Sequence, residues 1–399
     1  MATAVLDIEF TKLPFEITGL ERYSRALILI RLKGCPVGKA FVPVVDGKIS
    51  PERLHTSLQK AAGWPLWECW LKGFLEYEVS RSVRSLPSAT VAVCTRDRSE
   101  DLQRCLEALV RLPDDGQEIL VVDNCPVTDK TLCLLQNYKK NYKNIRYVRE
   151  DRSGLNIARN RALREARGDV VAFCDDDAIS DPEWLRALLR NFNDPLVLCV
   201  TGLTMPLELE TEAQEWFEQY SPFGRGFRRI VFTRSSINPL AAGRVGAGAN
   251  MALRKNILGL VGPFDEALDG GTPTKSGGDT EMFSRILSLG YHIVYDPEAL
   301  SWHRHRKTWE DLRRTVYGYG VGVYAFWTRR LLVEHEFSVF RLAGNWFFRY
   351  QLRSLAKSLL RRPCCKPLDL LLAELCGCLA GPRAYLRSRR LIQNKDLSS

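Results

Sequence analysis

Long apolar runs are missing from this sequence. No segment reaches the 18 or so uninterrupted apolar residues that a membrane-spanning helix needs. The best stretch, LDLLLAELCGCLAG at 368–381, is too short and carries Glu374, so an integral membrane protein is not expected. The opening MATAVLDIEF lacks the basic start and apolar core of a secretory leader. The 12 cysteines are scattered without a paired CxxC spacing, which argues against a zinc site, and Cys94, Cys174 and Cys199 lie inside apolar runs. Free thiols in a reducing cytosol are the expectation. No internal repeat is visible. The strand TVAVCT is followed by TRDRSED rather than GxGxxG, which argues against a dehydrogenase. No Gly-rich, Lys-containing loop is present to cradle a nucleoside triphosphate.

What is present is an ordinary globular composition, 45% hydrophobic and 26% charged over 399 residues, enough for one large domain with appendages or for two domains. The net charge of +10 is unevenly placed. Residues 301–399 hold 19 Lys and Arg against 7 Asp and Glu, leaving the first 300 nearly neutral.

Residues 1–86 read as a small α+β unit without a chemical motif. SRALILIRLKG and GKAFVPVVDGKIS are expected strands, and PERLHTSLQKAAGWPLWECWLKGFL a helix. Across 87–308, strands and amphipathic helices alternate: TVAVCT, a helix capped by Ser99, QEILVVDN, DKTLCLLQNYKK, NIRYVRE, LNIARNRALREA and DVVAFCDDD. This β-α-β-α-β order predicts a mostly parallel sheet with helices on both faces, and such sheets bind ligands beyond the carboxyl ends of their strands. Those ends are polar here: Thr95 to Arg98, Asp123-Asn124, and Asp175 to Asp177. Residues 203–245 read as a less regular segment covering the site, and YHIVYDPEALSWHRHR as two short strands. Residues 309–399 read as a basic, amphipathic helical extension.

In GDVVAFCDDDA an apolar strand runs into three aspartates. Crowded carboxylates repel one another and resist desolvation, so a cation is expected among them. Asp175 and Asp177 project to one side and Asp176 to the other; two same-side carboxylates suit Mg2+ or Mn2+. A solvated turn ahead of a helix is the plainer alternative. Asp123 could accept from a base or ribose, or simply form a turn. Gly154 with LNIARN could direct Arg159 and a helix start towards phosphates, or Arg159 could form a surface ion pair. In GGDTEMF, Asp279 or Glu281 could be a general base, although first-turn acids also serve the helix dipole. His303 and His305, alternating along a strand, are expected to face opposite ways; a histidine near an acidic metal site is a candidate ligand.

The ordered set TVAVCTRDR, ILVVDN, GLNIARNRAL, GDVVAFCDDDA, GANMALRK, GPFDEAL, GGDTEMFSRILSLGY and PEALSWHRHR, spanning about residues 89–307, resembles the family 2 glycosyltransferases of GT-A fold. The resemblance implies an α/β fold with a mostly parallel nucleotide-binding sheet. It implies a nucleotide-diphosphate-sugar donor (a UDP-sugar favoured), a hydroxyl acceptor, a divalent Mg2+ or Mn2+, and transfer with inversion. Asp175-x-Asp177 matches the family's DxD motif, with Asp177 the more direct metal ligand, and His303 matches a histidine that completes the metal shell in some members. Thr95 and Asp123 match nucleotide-contacting positions; Arg98, Asn156, Arg159 and Asp176 are assigned to donor binding with them. Asp279 matches the catalytic base. Gly278 stands where the glutamate of a Glu-Asp pair commonly lies, which keeps Glu281 in view as the base. The first strand reads Cys-Thr-Arg-Asp-Arg where many members have Pro-Thr-Tyr-Asn-Arg.

Two rival readings are a metal-dependent nucleotidyltransferase and an inactive nucleotide-binding or membrane-adaptor module. The basic C-terminal quarter, in which VYGYGVGVYAFW and AGNWFFRYQL interleave with arginines, is expected to attach peripherally to an anionic membrane surface at the inner face of the cell membrane. The plainer alternative is that these faces pack on the catalytic domain. A lipid-linked or glycan acceptor would fit such attachment. Nucleic acid is not an expected partner.

Overall fold

The computed structural model describes residues 2–75, 86–360 and 366–396. The N-terminal unit is a three-stranded sheet, β1 (Ala2–Glu9), β2 (Tyr23–Leu32) and β3 (Cys35–Pro43), followed by α1 (Pro51–Phe74), whose axis breaks at Gly63 just before Pro65. The apolar run of β2 is buried on both faces. Ala26, Ile28 and Ile30 join the core of the unit itself, while Leu27 and Leu29 pack on Leu203, Met205, Tyr295 and Leu300 of the main sheet. The unit is thus docked against the remainder of the chain by period-two burial of a central strand.

The main sheet begins with β4 (Ala89–Thr95), α2 (Ser99–Leu109), β5 (Glu118–Asn124), α3 (Lys130–Lys139), β6 (Ile145–Glu150), α4 (Leu155–Glu165) and β7 (Val170–Asp175). These four strands are parallel, as expected from their alternation with helices. A short β8 (Ala178–Ser180), α5 (Trp184–Leu189), β9 (Val197–Pro206), α6 (Glu212–Tyr220), β10 (Ile230–Phe232), β11 (Asn250–Arg254), α7 (Ile257–Leu260), α8 (Gly278–Ser288) and β12 (His292–His303) follow. The order is β10-β12-β9-β11-β7-β4-β5-β6, with β8 on β12. Helices cover both faces: Leu102, Leu106, Trp184 and Leu188 pack on one, Ala158, Ala162, Phe283 and Ile286 on the other. This is the expected α/β sheet flanked by helices, made mixed by β11, which runs antiparallel to β7 and β9, and by β10 and β8, which run antiparallel to β12.

Several local expectations change. Residues 203–206 complete the wholly buried β9, and 212–220 form α6, opened by a reciprocal Thr211–Gln214 capping box. One continuous β12 replaces the two short strands; Pro297 lies in the stretch where its register against β9 shifts, between Asp296 and Leu300. Ser99 is the first residue of α2, and the cap position falls on Arg98.

C-terminal to the sheet come α9 (Trp309–Glu334), α10 (Ser338–Trp346), α11 (Leu352–Leu359) and α12 (Leu368–Asp396). The glycines of VYGYGVGVYAFW are a helix-packing device. A Cβ on Gly320 would lie 2.3 Å from the Glu374 carbonyl, and one on Gly377 2.2 Å from that of Tyr317. This stretch lies in the seam between α9 and α12, not on a lipid-facing surface. Among the described residues, no helix is long and apolar enough to cross a membrane.

Candidate active site

Three strand ends and one crossing strand build the site. β7 stops at Asp175, the chain turns through Asp176 and Asp177, and β8 pairs antiparallel with the end of β12, setting Ala178 opposite His303. That register lays His303 over the aspartates, and the Arg304 N–H donates to the Asp177 carbonyl at 3.0 Å. Ligand atoms of Asp175, Asp177 and His303 lie within 4.8 Å of one another, and His303 Nε2 is 3.1 Å from Asp177 Oδ1. Two carboxylates and an imidazole at this spacing fit Mn2+ or Mg2+ by donor chemistry.

Asp176 turns the other way, as the strand period requires. It accepts from Thr95 Oγ1 at 2.7 Å and from Arg98 Nη1 at 2.5 Å, while Arg98 Nη2 reaches Asp177 Oδ2 at 2.8 Å. Arg98 and Thr95 are therefore tied to the aspartate cluster. Burial pushes the Asp176 carboxyl up to about 7, against the pull of Arg98. Burial and the neighbouring charge of Asp177 also raise Asp175. For Asp177 burial again opposes ionisation, but His303 and Arg98 outweigh it and hold its carboxyl well below the usual range. His303 is raised, since Asp177 outweighs its burial.

Asp123, next to last in β5, has no exposed surface. Tyr147 donates to its Oδ2 at 3.2 Å, whereas Oδ1 is a buried acceptor without a hydrogen-bond partner, and burial lifts the carboxyl to about 6. An orphaned buried acceptor is costly unless a donor arrives.

Asp279 opens α8 after Gly277, whose φ of 99° is left-handed. Its Oδ2 accepts from the Gly248 N–H at 2.8 Å and its Oδ1 from the Thr280 N–H at 2.7 Å, and the carboxylate remains partly exposed. A side chain at 278 has no room: a Cβ there would lie 2.2 Å from Asn156 Nδ2 and 2.6 Å from Asp269 Oδ2. Glu281 is fully buried and bound by Arg285 at 2.6 and 2.8 Å and by Arg329 at 2.9 Å. Its charge is neutralised inside the fold, which removes it as a base.

Other expectations need correcting. Asn156 has no exposed surface; its amide donates to the Asp265 carbonyl at 2.9 Å and its oxygen accepts from Arg159, so it braces the loop before α8 and faces no ligand. Arg159 is buried, bonded to Asp269 Oδ2 at 2.7 Å and stacked over Phe264. Its charge acts on Asp175, Asp269 and Asp279 together, making it a counter-ion beneath the site instead of a side chain reaching for phosphate. Asp269 was not anticipated, although an Asp before Gly270-Gly271 signals a turn; its φ is 84°. His303 and His305 do not face opposite ways. Their Nδ1 atoms are 3.3 Å apart, because a spacing of two in extended chain returns to the same side.

Residues 90–258 match the family model described as Glycosyl transferase family 2. The chain is 27% identical over 249 residues to Probable glycosyltransferase YdaM of Bacillus subtilis, covering 57% of this chain and 53% of that protein. It is 28% identical over 237 residues to the pre-mycofactocin glycosyltransferase of Mycobacterium tuberculosis, covering 57% and 46%. The chain thus spans about half the length of these relatives. Among solved structures, the mannosyltransferase PcManGT from Pyrobaculum calidifontis in complex with GDP-Man and Mn2+ is similar, with a TM-score of 0.47 and 17% identity over 79% of this chain and 77% of that one.

Proposed function

We propose that this chain, whose residues 90–258 match the Glycosyl transferase family 2 model, is a glycosyltransferase of that family and moves a sugar from a nucleotide-diphosphate sugar to a hydroxyl acceptor with inversion at the anomeric carbon. One observation carries the reading: the Asp175–Asp177–His303 set stands at the strand ends together with a partly exposed Asp279, the two joined by the buried charge of Arg159. Asp175, Asp177 and His303 would hold Mn2+ or Mg2+, which when bound offsets the negative charge that builds on a leaving diphosphate.

The chain's own residues divide the remaining work. The free oxygen of Asp123 suits a ring N–H such as that of uracil, which favours a UDP-sugar. Arg98, now spanning Asp176 and Asp177, has only to swing to meet the diphosphate. Asp279, aimed by the Gly248 N–H, takes the proton from the acceptor hydroxyl as its oxygen attacks C1. The C1–O bond to the diphosphate breaks as the new C–O bond forms, and a single displacement inverts the centre.

The acceptor is proposed to lie at an anionic lipid surface. Along α10, α11 and the π-helical turn Phe347–Gln351 that joins them, Phe340 and Phe348 are 63% and 65% exposed, and Arg341, Arg349, Arg353 and Lys357 are exposed beside them. Aromatic anchors interleaved with cations suit the headgroup region. Thermal shifts with UDP, GDP or dTDP, with and without Mn2+, test the donor reading; a shift that ignores both nucleotide and metal speaks against it.

A further inference from the structure

A line of buried polar side chains runs from the metal-ligand set to the N-terminal unit. His303 Nδ1 meets His305 Nδ1 at 3.3 Å, His305 Nε2 meets Glu218 Oε2 on α6 at 3.4 Å, and Lys39 Nζ on β3 closes on Glu218 Oε1 at 2.6 Å. His303, His305 and Glu218 are each at most 9% exposed. We infer that Lys39, Glu218 and His305 are positioning residues that fix the tautomer and direction of His303, which makes the N-terminal unit part of the metal site. This rests on the reading of Asp175, Asp177 and His303 as that site.

Donor and acceptor chemistry sets the direction of the chain. An ionised carboxylate only accepts, so His305 Nε2 carries the hydrogen facing Glu218. A neutral ring with that hydrogen presents a lone pair at Nδ1, and His303 Nδ1 must then donate to it. In the metal-free chain His303 Nε2 faces Asp177 Oδ1 at 3.1 Å and carries a hydrogen too, since that carboxylate only accepts. A bound cation would replace this hydrogen on the Nε2 lone pair, with Nδ1 still donating to His305. A ligating imidazole commonly donates its other ring N–H to an acceptor that sets orientation and basicity; here the acceptor is a second imidazole backed by a carboxylate. Lys39 keeps that carboxylate charged. Burial works against the ionisation of Glu218, but its bonds to His305 and Lys39 hold it below its ordinary range.

The rings have little freedom to turn away. Phe217 packs on His305 with ring centres 4.3 Å apart, and Phe223 meets His303 edge-on at 5.2 Å. Gln214 Nε2 donates to the His305 carbonyl at 3.3 Å. The N-terminal unit is held against α6 at a second point, where Arg25 Nη2 is 3.3 Å from Glu215 Oε2, and Arg31 of β2 reaches Asp181 just beyond β8 at 2.6 Å. Docking of the small sheet thus holds α6, which carries Glu218, and the chain just beyond β8, the strand paired with His303.

Two measurements on the full chain test this. In the Mg2+-loaded protein, 15N-labelled histidine resonances should show His303 protonated at Nδ1 and His305 at Nε2; His305 protonated at Nδ1 overturns the inference. Titration with Mn2+ alone, followed by electron paramagnetic resonance, should show Glu218→Gln and Lys39→Met binding about 10- to 100-fold more weakly, with Lys39→Arg close to the unaltered chain. Folded Glu218→Gln that binds Mn2+ normally, while Asp177→Asn does not, overturns the chain and leaves the metal site standing. Failure of the unaltered chain to bind Mn2+ overturns both readings. Should Glu218→Gln fail to fold, the resonances decide.

Discussion

His303 Nε2 lies 3.1 Å from Asp177 Oδ1, held there by the pairing of β8 with the last residues of β12. A ligand from the far end of the domain thereby completes an acidic pair at the end of β7. Asp177→Ala should abolish Mn2+-dependent stabilisation by a nucleoside diphosphate. Its metal-free melting temperature should also fall, because Arg98 and His303 lose a buried partner, so the nucleotide shift is read against the variant's own metal-free baseline. His303→Ala should weaken it less, because Asp175 and Asp177 remain. Calorimetry with and without EDTA reads both; equal loss in the two variants would contradict the ranking.

Asp123 gives a pH signature. Its carboxyl sits at about 6 in the folded chain, above the ordinary value near 4. Raised by burial, it makes ionisation unfavourable to the fold, so its destabilising effect is full above about pH 6 and fades as pH falls towards about 4. Asp123→Asn should raise the melting temperature more at pH 8 than at pH 4.5 while weakening nucleotide binding. Nucleotide affinity of the unaltered chain should itself fall below about pH 6, as Asp123 loses its charge. A gain that is flat with pH would remove this role.

Asp279→Asn should bind donor nucleotide and metal normally yet transfer sugar about 100-fold more slowly, the scale of lost general-base assistance. Glu281→Gln should act on the fold instead. Removing one member of a buried, doubly paired cluster costs about 3–5 kcal/mol, so the melting temperature should drop while turnover per folded molecule stays near normal. Thermal melts beside steady-state kinetics separate the two, and the reverse pattern would reassign the base.

For the lipid reading, full-length protein should cosediment with anionic but not neutral vesicles, less so at high salt. Phe340→Ser with Phe348→Ser, or Arg349→Glu with Arg353→Glu, should abolish it. Indifference to lipid charge would rule the surface out.

Much of the site was legible because it follows local periodicities. Apolar runs closing at Thr95, Asp123 and Asp175 declared parallel strands whose ends share one edge, and Gly277-Gly278 before Asp279 declared a close backbone approach. What escaped was set by distant partners. Nothing in the run at β2 says that Leu27 and Leu29 bury against Tyr295 and Leu300. The aromatic spacing of α9 looks amphipathic until Gly320 meets α12. Glu281 resembles a first-turn acid until Arg329 arrives from α9. Only the pairing of His305 with His303 was within reach of the sequence, since a spacing of two already sets both on one side.

The most direct measurement is the melting temperature of the full chain with UDP, GDP and dTDP, each with Mn2+ or with EDTA. Expected is a rise for one nucleotide, UDP above the others, present with Mn2+, absent with EDTA and lost in Asp177→Ala. At 100 times the dissociation constant this corresponds to about 2.7 kcal/mol. No shift with any nucleotide, or one that persists in EDTA and in Asp177→Ala, would contradict a metal-dependent nucleotide-sugar site.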